Sequence, residues 1–260
     1  MRNELRELYK YRELLVMIAA RDIKVRYKQS LMGFFWAILM PVLIVASGIL
    51  VRYGYAIASH KPLDVADLVS VAIKSVPWAF LVSSIRFSSQ SLIGNQNLVT
   101  KIYFPKEIFP MAAVLSQLFD LCIASSVLAI LLMFVRLNLG LRLLWAGPLL
   151  ATVVVLAVGV GLLVSAGSLF YRDVKYIVEV FLTFAIFFTP VFYDVNMFGP
   201  KGRWLLLNPI APILEAFSSI VYGRAPDWNW LIYSIAFALL TLIFAYYLFK
   251  KIEPEFAQSI

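Results

Sequence analysis

NQNLVTKIYFPKEIFP, residues 95–110, carries two lysines, a glutamate and two prolines between two long apolar runs. Lipid tails offer no partners for such polar groups, so the segment has to lie in water or against protein. The runs on either side, roughly 66–92 and 108–135, each exceed the ~20 residues that carry an α-helix across a bilayer core. Span, polar loop, span is the pattern here, and it extends along the whole chain.

Hydrophobic residues make up 62% of the 260, charged residues only 15%, and mean hydropathy is +0.85. Soluble domains are about half apolar and a quarter charged. The short alternating segments of a membrane barrel are absent. The expected fold is an all-α integral membrane protein with six spans, roughly 31–56, 66–92, 108–135, 143–170, 176–193 and 228–249. Residues 1–30 form an N-terminal segment ahead of a transmembrane domain, 31–260. Beyond the fifth span Pro200, Pro209, Pro212 and Pro226 interrupt a partly apolar stretch. Short re-entrant or interfacial helices suit it, with protein covering their ends.

Charge orients the bundle. Eight basic residues fall in the first thirty positions, and Lys101, Lys106, Arg172, Lys175, Lys250 and Lys251 share their side, making fourteen. Arg52, Lys61, Lys74, Arg136, Arg142, Lys201, Arg203 and Arg224 make eight on the other, and Arg86 lies within a span. The positive-inside rule then makes both termini cytoplasmic, and the 95–110 loop with them. Leu5, Leu8, Tyr11, Leu15 and Ile18 recur at helical steps among charges, which predicts an amphipathic interface helix over 2–18. It reads either as a plain anchor or as part of a docking surface. The dense charge of this segment and the length of the first apolar run predict an anchor rather than a cleaved leader.

Several chemistries are excluded. One cysteine, Cys122, and one histidine, His60, allow neither a disulfide nor a His/Cys metal site within the chain. There is no phosphate-binding G-x-x-x-x-G-K-[ST] loop, no G-x-S-x-G elbow and no H-E-x-x-H. Asp120 and Glu179 are too few and too isolated for a proton relay. The basic excess fits lipid headgroups and topology rather than nucleic acid. Energy for transport would therefore come from outside the chain. The 95–110 loop, stiffened by Pro105 and Pro110, suits a part that receives a push, although a plain connector would also be polar.

Five stretches in order carry a family resemblance: RDIKVRYKQSLMGFFWAILMPVL (21–43), VPWAFLVSS (76–84), NLVTKIYFPKEIFPMAAVLSQLFD (97–120), LFYRDVKYI (169–177), and TPVFYD (189–194) with LNPIAPILEAF (207–217). They resemble ABC-2-type permeases that export O-antigen, teichoic acid and related polysaccharides. The resemblance implies a coupling helix at 95–110 that docks on a cytosolic ABC ATPase through Asn97, Lys101, Tyr103, Lys106 and Glu107. Arg172 and Asp173 in the 171–176 loop would add a smaller contact, with the N-terminal helix nearby. Segment 194–222 would hold extracytoplasmic gate helices, with Asn208, Pro209 and Glu215. Two copies of the chain would work with two ATPase chains in the bacterial cytoplasmic membrane, on a polymer linked to a polyprenyl pyrophosphate or similar lipid. ATP and magnesium would sit on the partner; this chain would hold no cofactor or metal and would not itself be an enzyme.

Two features leave alternatives open. Arg86 suits an anionic pyrophosphate, an ion pair with Asp120, or snorkelling to headgroups. Phe181, Phe184, Phe188 and Phe192 recur along one helical face, for sliding sugars or for packing, with Trp36 near the cytoplasmic mouth of such a path. Two rivals stand beside the polysaccharide reading: a permease for a drug or lipid, and a membrane enzyme acting on polyprenyl-linked sugars, which would need a carboxylate or histidine cluster that the sequence lacks.

Overall fold

The computed structural model describes residues 8–28, 35–60, 62–101, 104–134 and 140–256. Tyr103, residues 2–7 of the expected interface helix, and Lys61 and Arg136 of the charge count lie outside them. The elements are α1 (Arg12–Lys28), α2 (Phe35–Ser59), α3 (Val65–Ser91), α4 (Gln96–Lys101), α5 (Ile108–Phe134), α6 (Ala146–Phe170), α7 (Val174–Ala185), α8 (Ala211–Tyr222) and α9 (Trp228–Ile252). No strand occurs among the described residues.

Five helices are long and apolar enough to cross a membrane: α2, α3, α5, α9 and the run Leu143–Phe170 that contains α6. This is a multi-pass membrane protein. The stretch expected as the fifth span is shorter. Helix α7 has 12 residues and a 3-10 turn, Ile186–Phe188, follows it. Thr189 then turns extended at φ −120° and ψ 134°, as the residue before a proline is driven to do. Its hydroxyl donates to the Ala185 carbonyl at 2.7 Å and closes the helix end.

Helix α3 is the axis of the bundle. It buries fifteen side chains and packs on α5, α6 and α8. Helix α6 pairs with α9, and the absence of a side chain at Gly159 permits it: a Cβ there would stand 2.9 Å from the Leu242 backbone nitrogen. Small residues at crossings are how membrane helices gain close packing. By contrast α2 buries only Gly48 and Arg52.

A second apolar cluster gathers one end of the bundle. Ile18 of α1, Leu92 and Val99, Phe104 and Phe109, Leu169 of α6, and Phe249 and Phe256 all belong to it. The N-terminal helix, the loop after α3, the end of α6 and the end of α9 therefore meet at one end, as the charge count grouped them. Leu8, Tyr11 and Leu15 pack toward this cluster, while α1 continues to Lys28, past the expected boundary.

Candidate functional site

Helix α4 has two sides. Val99 is buried in the end cluster, while Gln96, Asn97, Thr100 and Lys101 are exposed. The Arg21 guanidinium donates to the Asn95 side chain at 2.9 Å and ties α1 to the start of this loop. Arg172 and Asp173 are exposed on the turn between α6 and α7, directly after Phe170, which packs on the same cluster. Four of the expected contact residues thus stand free at one end: Asn97, Lys101, Arg172 and Asp173.

Two others do not. Lys106 is half-buried, its ammonium 4.7 Å above the Phe104 ring, and burial lowers its pKa against the pull of Glu253 and Glu107. Glu107 is fully buried, which corrects the reading of it as a surface contact. The end of α9 folds over it and brings Lys250, whose Nζ lies 2.8 Å from Oε1 and 2.9 Å from Oε2. Burial pushes the Glu107 carboxyl up, and Lys250 offsets only part of that.

Arg86 is paired, but with a different acid from the one expected. Its guanidinium grips Glu179 of α7 with contacts of 2.7 and 2.9 Å. Asp120 is already held by α1: Arg26 reaches it at 2.5 Å and the Tyr27 hydroxyl donates to its other oxygen. Burial and Asp120 push the Tyr27 hydroxyl up to about 12. Arg86 and Trp36 share a cavity of about 360 Å³ with Arg26, Phe87 and Asp120. Phe181, Phe184 and Phe188 are exposed and line a separate apolar groove of about 980 Å³ with Trp78, Ile85, Asn208 and Pro209. Phe192 leaves that stripe, because the helix has ended and the chain turns inward at Pro190. It is buried, against Gly48, where a Cβ would stand 2.9 Å from its ring.

The expected gate residues join two networks. The Asn208 amide donates to Thr189 Oγ1 at 2.9 Å, and the Asn208 carbonyl accepts from Ala211 at 2.9 Å. With Pro209 it links the end of the aromatic stretch to the start of α8. Glu215 accepts the Val195 N–H at 3.3 Å and lies 3.7 Å from the Lys74 ammonium. Lys74 in turn donates to Asp194 at 2.7 Å and to the Tyr193 carbonyl at 2.8 Å. Arg52 meets the other Asp194 oxygen at 2.7 Å and the Phe192 carbonyl at 3.0 Å. Asp67, 3.4 Å from Arg52, also accepts from Tyr222 at 2.5 Å. Burial pushes the Asp194 carboxyl up, but Lys74 and Arg52 together outweigh it and hold it well below the usual carboxylate range. A cavity of about 720 Å³ opens beside this cluster. Among the described residues no group of three or more His, Cys, Asp or Glu is placed to hold a metal ion.

Residues 13–222 match the family model described as ABC-2 type transporter. The chain belongs to the ABC-2 type transporter family. An O-antigen export system permease protein RfbA of Klebsiella pneumoniae is 24% identical to it over 251 residues, covering 95% of each chain. The protein of that name from Myxococcus xanthus is 27% identical over 263 residues, covering 98% of each.

In this ABC-2 chain the ionic cluster around Asp194 was the main feature missed from sequence. Arg52 and Lys74 were counted as outer-side charges, yet they are 2% and 0% exposed. The signal was present: each lies within an apolar helix, where a charge needs a partner. Asp194, their shared partner, follows the TPVFY turn and reads locally as an ordinary loop acid.

Proposed function

We propose that this chain is the membrane permease of an ATP-driven exporter that moves a lipid-linked polysaccharide outward across the bacterial cytoplasmic membrane. The observation that carries the reading is likeness to O-antigen export permeases along 95–98% of the chain. ATP and magnesium would sit on a separate ABC ATPase, two copies serving two copies of this chain, a reading that the missing nucleotide loop supports. Asn97, Lys101, Arg172 and Asp173 would present the docking face to it.

Helix α1 and the end of α9 share one apolar cluster, which supports an even number of crossings. Five long helices and the α7 stretch with its extended continuation supply six, with both termini cytoplasmic. Segment 194–222 then closes the outer end as a gate. Phe181, Phe184 and Phe188 offer flat apolar faces on which sugars slide without tight binding, and Arg86 beside Trp36 marks the cytoplasmic entry for an anionic headgroup.

Reconstitution with the cognate ATPase in liposomes tests the whole reading. Lipid-linked polymer should cross the bilayer only with hydrolysable ATP. ATP-dependent movement of a drug or simple lipid with no movement of polymer would replace it with the rival permease reading.

A further inference from the structure

Glu107 closes the polar loop before α5, and it is gripped from the last turn of α9, 143 residues further along the chain. Lys250, on the last turn of α9, holds the Glu107 carboxylate and also reaches Glu253 at 2.9 Å. Glu253 in turn accepts the backbone N–H of Lys106 at 2.9 Å. Rings reinforce the same junction. The 3-10 turn Glu253–Glu255 brings Phe256 edge-on to Phe249 at 5.1 Å and to Phe170 at 5.8 Å. Phe104 and Phe109, 5.4 Å apart, lie in the same cluster. The loop is thus exposed on its α4 face and fastened beneath to the end of α9.

An ion pair with one buried and one half-buried partner is weak evidence for stability, since a matched apolar pair often serves as well. What it does supply is one preferred register, because charges shielded from water are little screened and tolerate no sliding apart. A push on α4 has two routes into the membrane: along the chain through α3 and α5, or across the brace into α9 and the α6 packed against it.

We propose that Lys250, supported by Glu253, is a positioning residue that carries the push on the 96–107 loop into α9, an inference that rests on the exporter reading above. The α9 side of the brace, Lys250 and Glu253, lies beyond the residues that match the family model, which end at 222. It makes the end of the chain part of the coupling machinery rather than a trailing anchor.

The test measures polymer moved and ATP hydrolysed in one reconstituted complex. E107Q/K250M removes both charges together, so no lone carboxylate is left buried. Hydrolysis should continue while polymer moved per ATP falls roughly tenfold, within the range by which side chains along a coupling route change it. K250R should keep the wild-type ratio. E253Q keeps the Glu107–Lys250 contact and should show a smaller fall, and it carries the test if the double variant does not assemble. A merely structural brace would lower export and hydrolysis together, so an unchanged ratio in E107Q/K250M, or in E253Q where that stands in, overturns the proposal. Wild-type complex that hydrolyses ATP and moves no polymer would instead sink the exporter reading itself.

Discussion

Each end of this bundle buries a carboxylate against a lysine, and the two behave in opposite ways. At the loop end Glu107 shares one cation, Lys250, with a second acid, Glu253; burial wins and its pKa rises. At the other end Asp194 draws two cations to 2.7 Å each, Lys74 and Arg52, which meet Glu215 and Asp67 only at 3.7 and 3.4 Å, and its pKa falls. Partner count, rather than depth, sets the direction. The first arrangement joins a loop to a helix end through one cation shared by two acids. The second knots α2, α3, the Asp194 turn and α8 together and suits a part that stays closed until pulled.

The largest effect should come from unpicking the knot. Lys74→Met strands Asp194 beside Glu215 with one cation fewer, and breaking a buried pair this way costs about 3–5 kcal/mol. Thermal unfolding in detergent should show a large drop in Tm, partly restored by K74M/D194N. If K74M unfolds no earlier than K250M, the two ends are equally tolerant and the contrast between them fails.

Next in size is the groove along α7. Phe184→Leu with Phe188→Leu keeps apolar bulk and removes the rings, so expression should hold while export slows several-fold. Wild-type export in that double variant would make the stripe a packing face and move the sugar path elsewhere.

The Arg86–Glu179 pair is more than a third exposed on both sides, so its loss should cost no more than about 1 kcal/mol. Arg86→Gln should therefore leave Tm nearly unchanged and still cut export. If E179Q added to R86Q restores export, the arginine served only its partner, and the anion contact is withdrawn.

The smallest effect is with pH. Folded Glu107 takes its proton more readily than the unfolded chain, so acid does not unfold this end; it removes the charge facing Lys250 as pH falls toward the ordinary glutamate value. Asp194 is the reverse: its stabilising charge is present above the ordinary aspartate value and is lost only below it. As pH falls from neutral toward the ordinary glutamate value, polymer moved per ATP should decline while Tm does not fall. A Tm that falls first would place the weak charge at the other end.

The five long helices were legible because a span declares itself by length and apolarity alone. The short α7 was half legible, since the Thr189–Pro190 pair that ends it stands in the sequence inside an otherwise convincing apolar run. Exposed Asn97, Lys101, Arg172 and Asp173 were legible because local polarity and exposure agree there. Glu107 was misread for the converse reason: its neighbours in sequence are loop-like, and the cation that buries it lies 143 residues away. The partner of Arg86 was misassigned because α1 had claimed Asp120 across 94 residues. Pairings of this kind are fixed by which helices touch, and neither period nor composition encodes that.

The most direct measurement of the account is sidedness by single cysteines, made in a Cys122→Ser background because Cys122 is exposed. Cysteines at 97 and 101 should crosslink to the ATPase and escape a membrane-impermeant thiol reagent added outside intact spheroplasts. Cysteines at 201 and 203, exposed beyond the ionic cluster, should react with that reagent and never crosslink to the ATPase. Labelling of 97 and 101 from outside, or crosslinking of the ATPase to 201 or 203, would invert the molecule and contradict the assignment of its two ends.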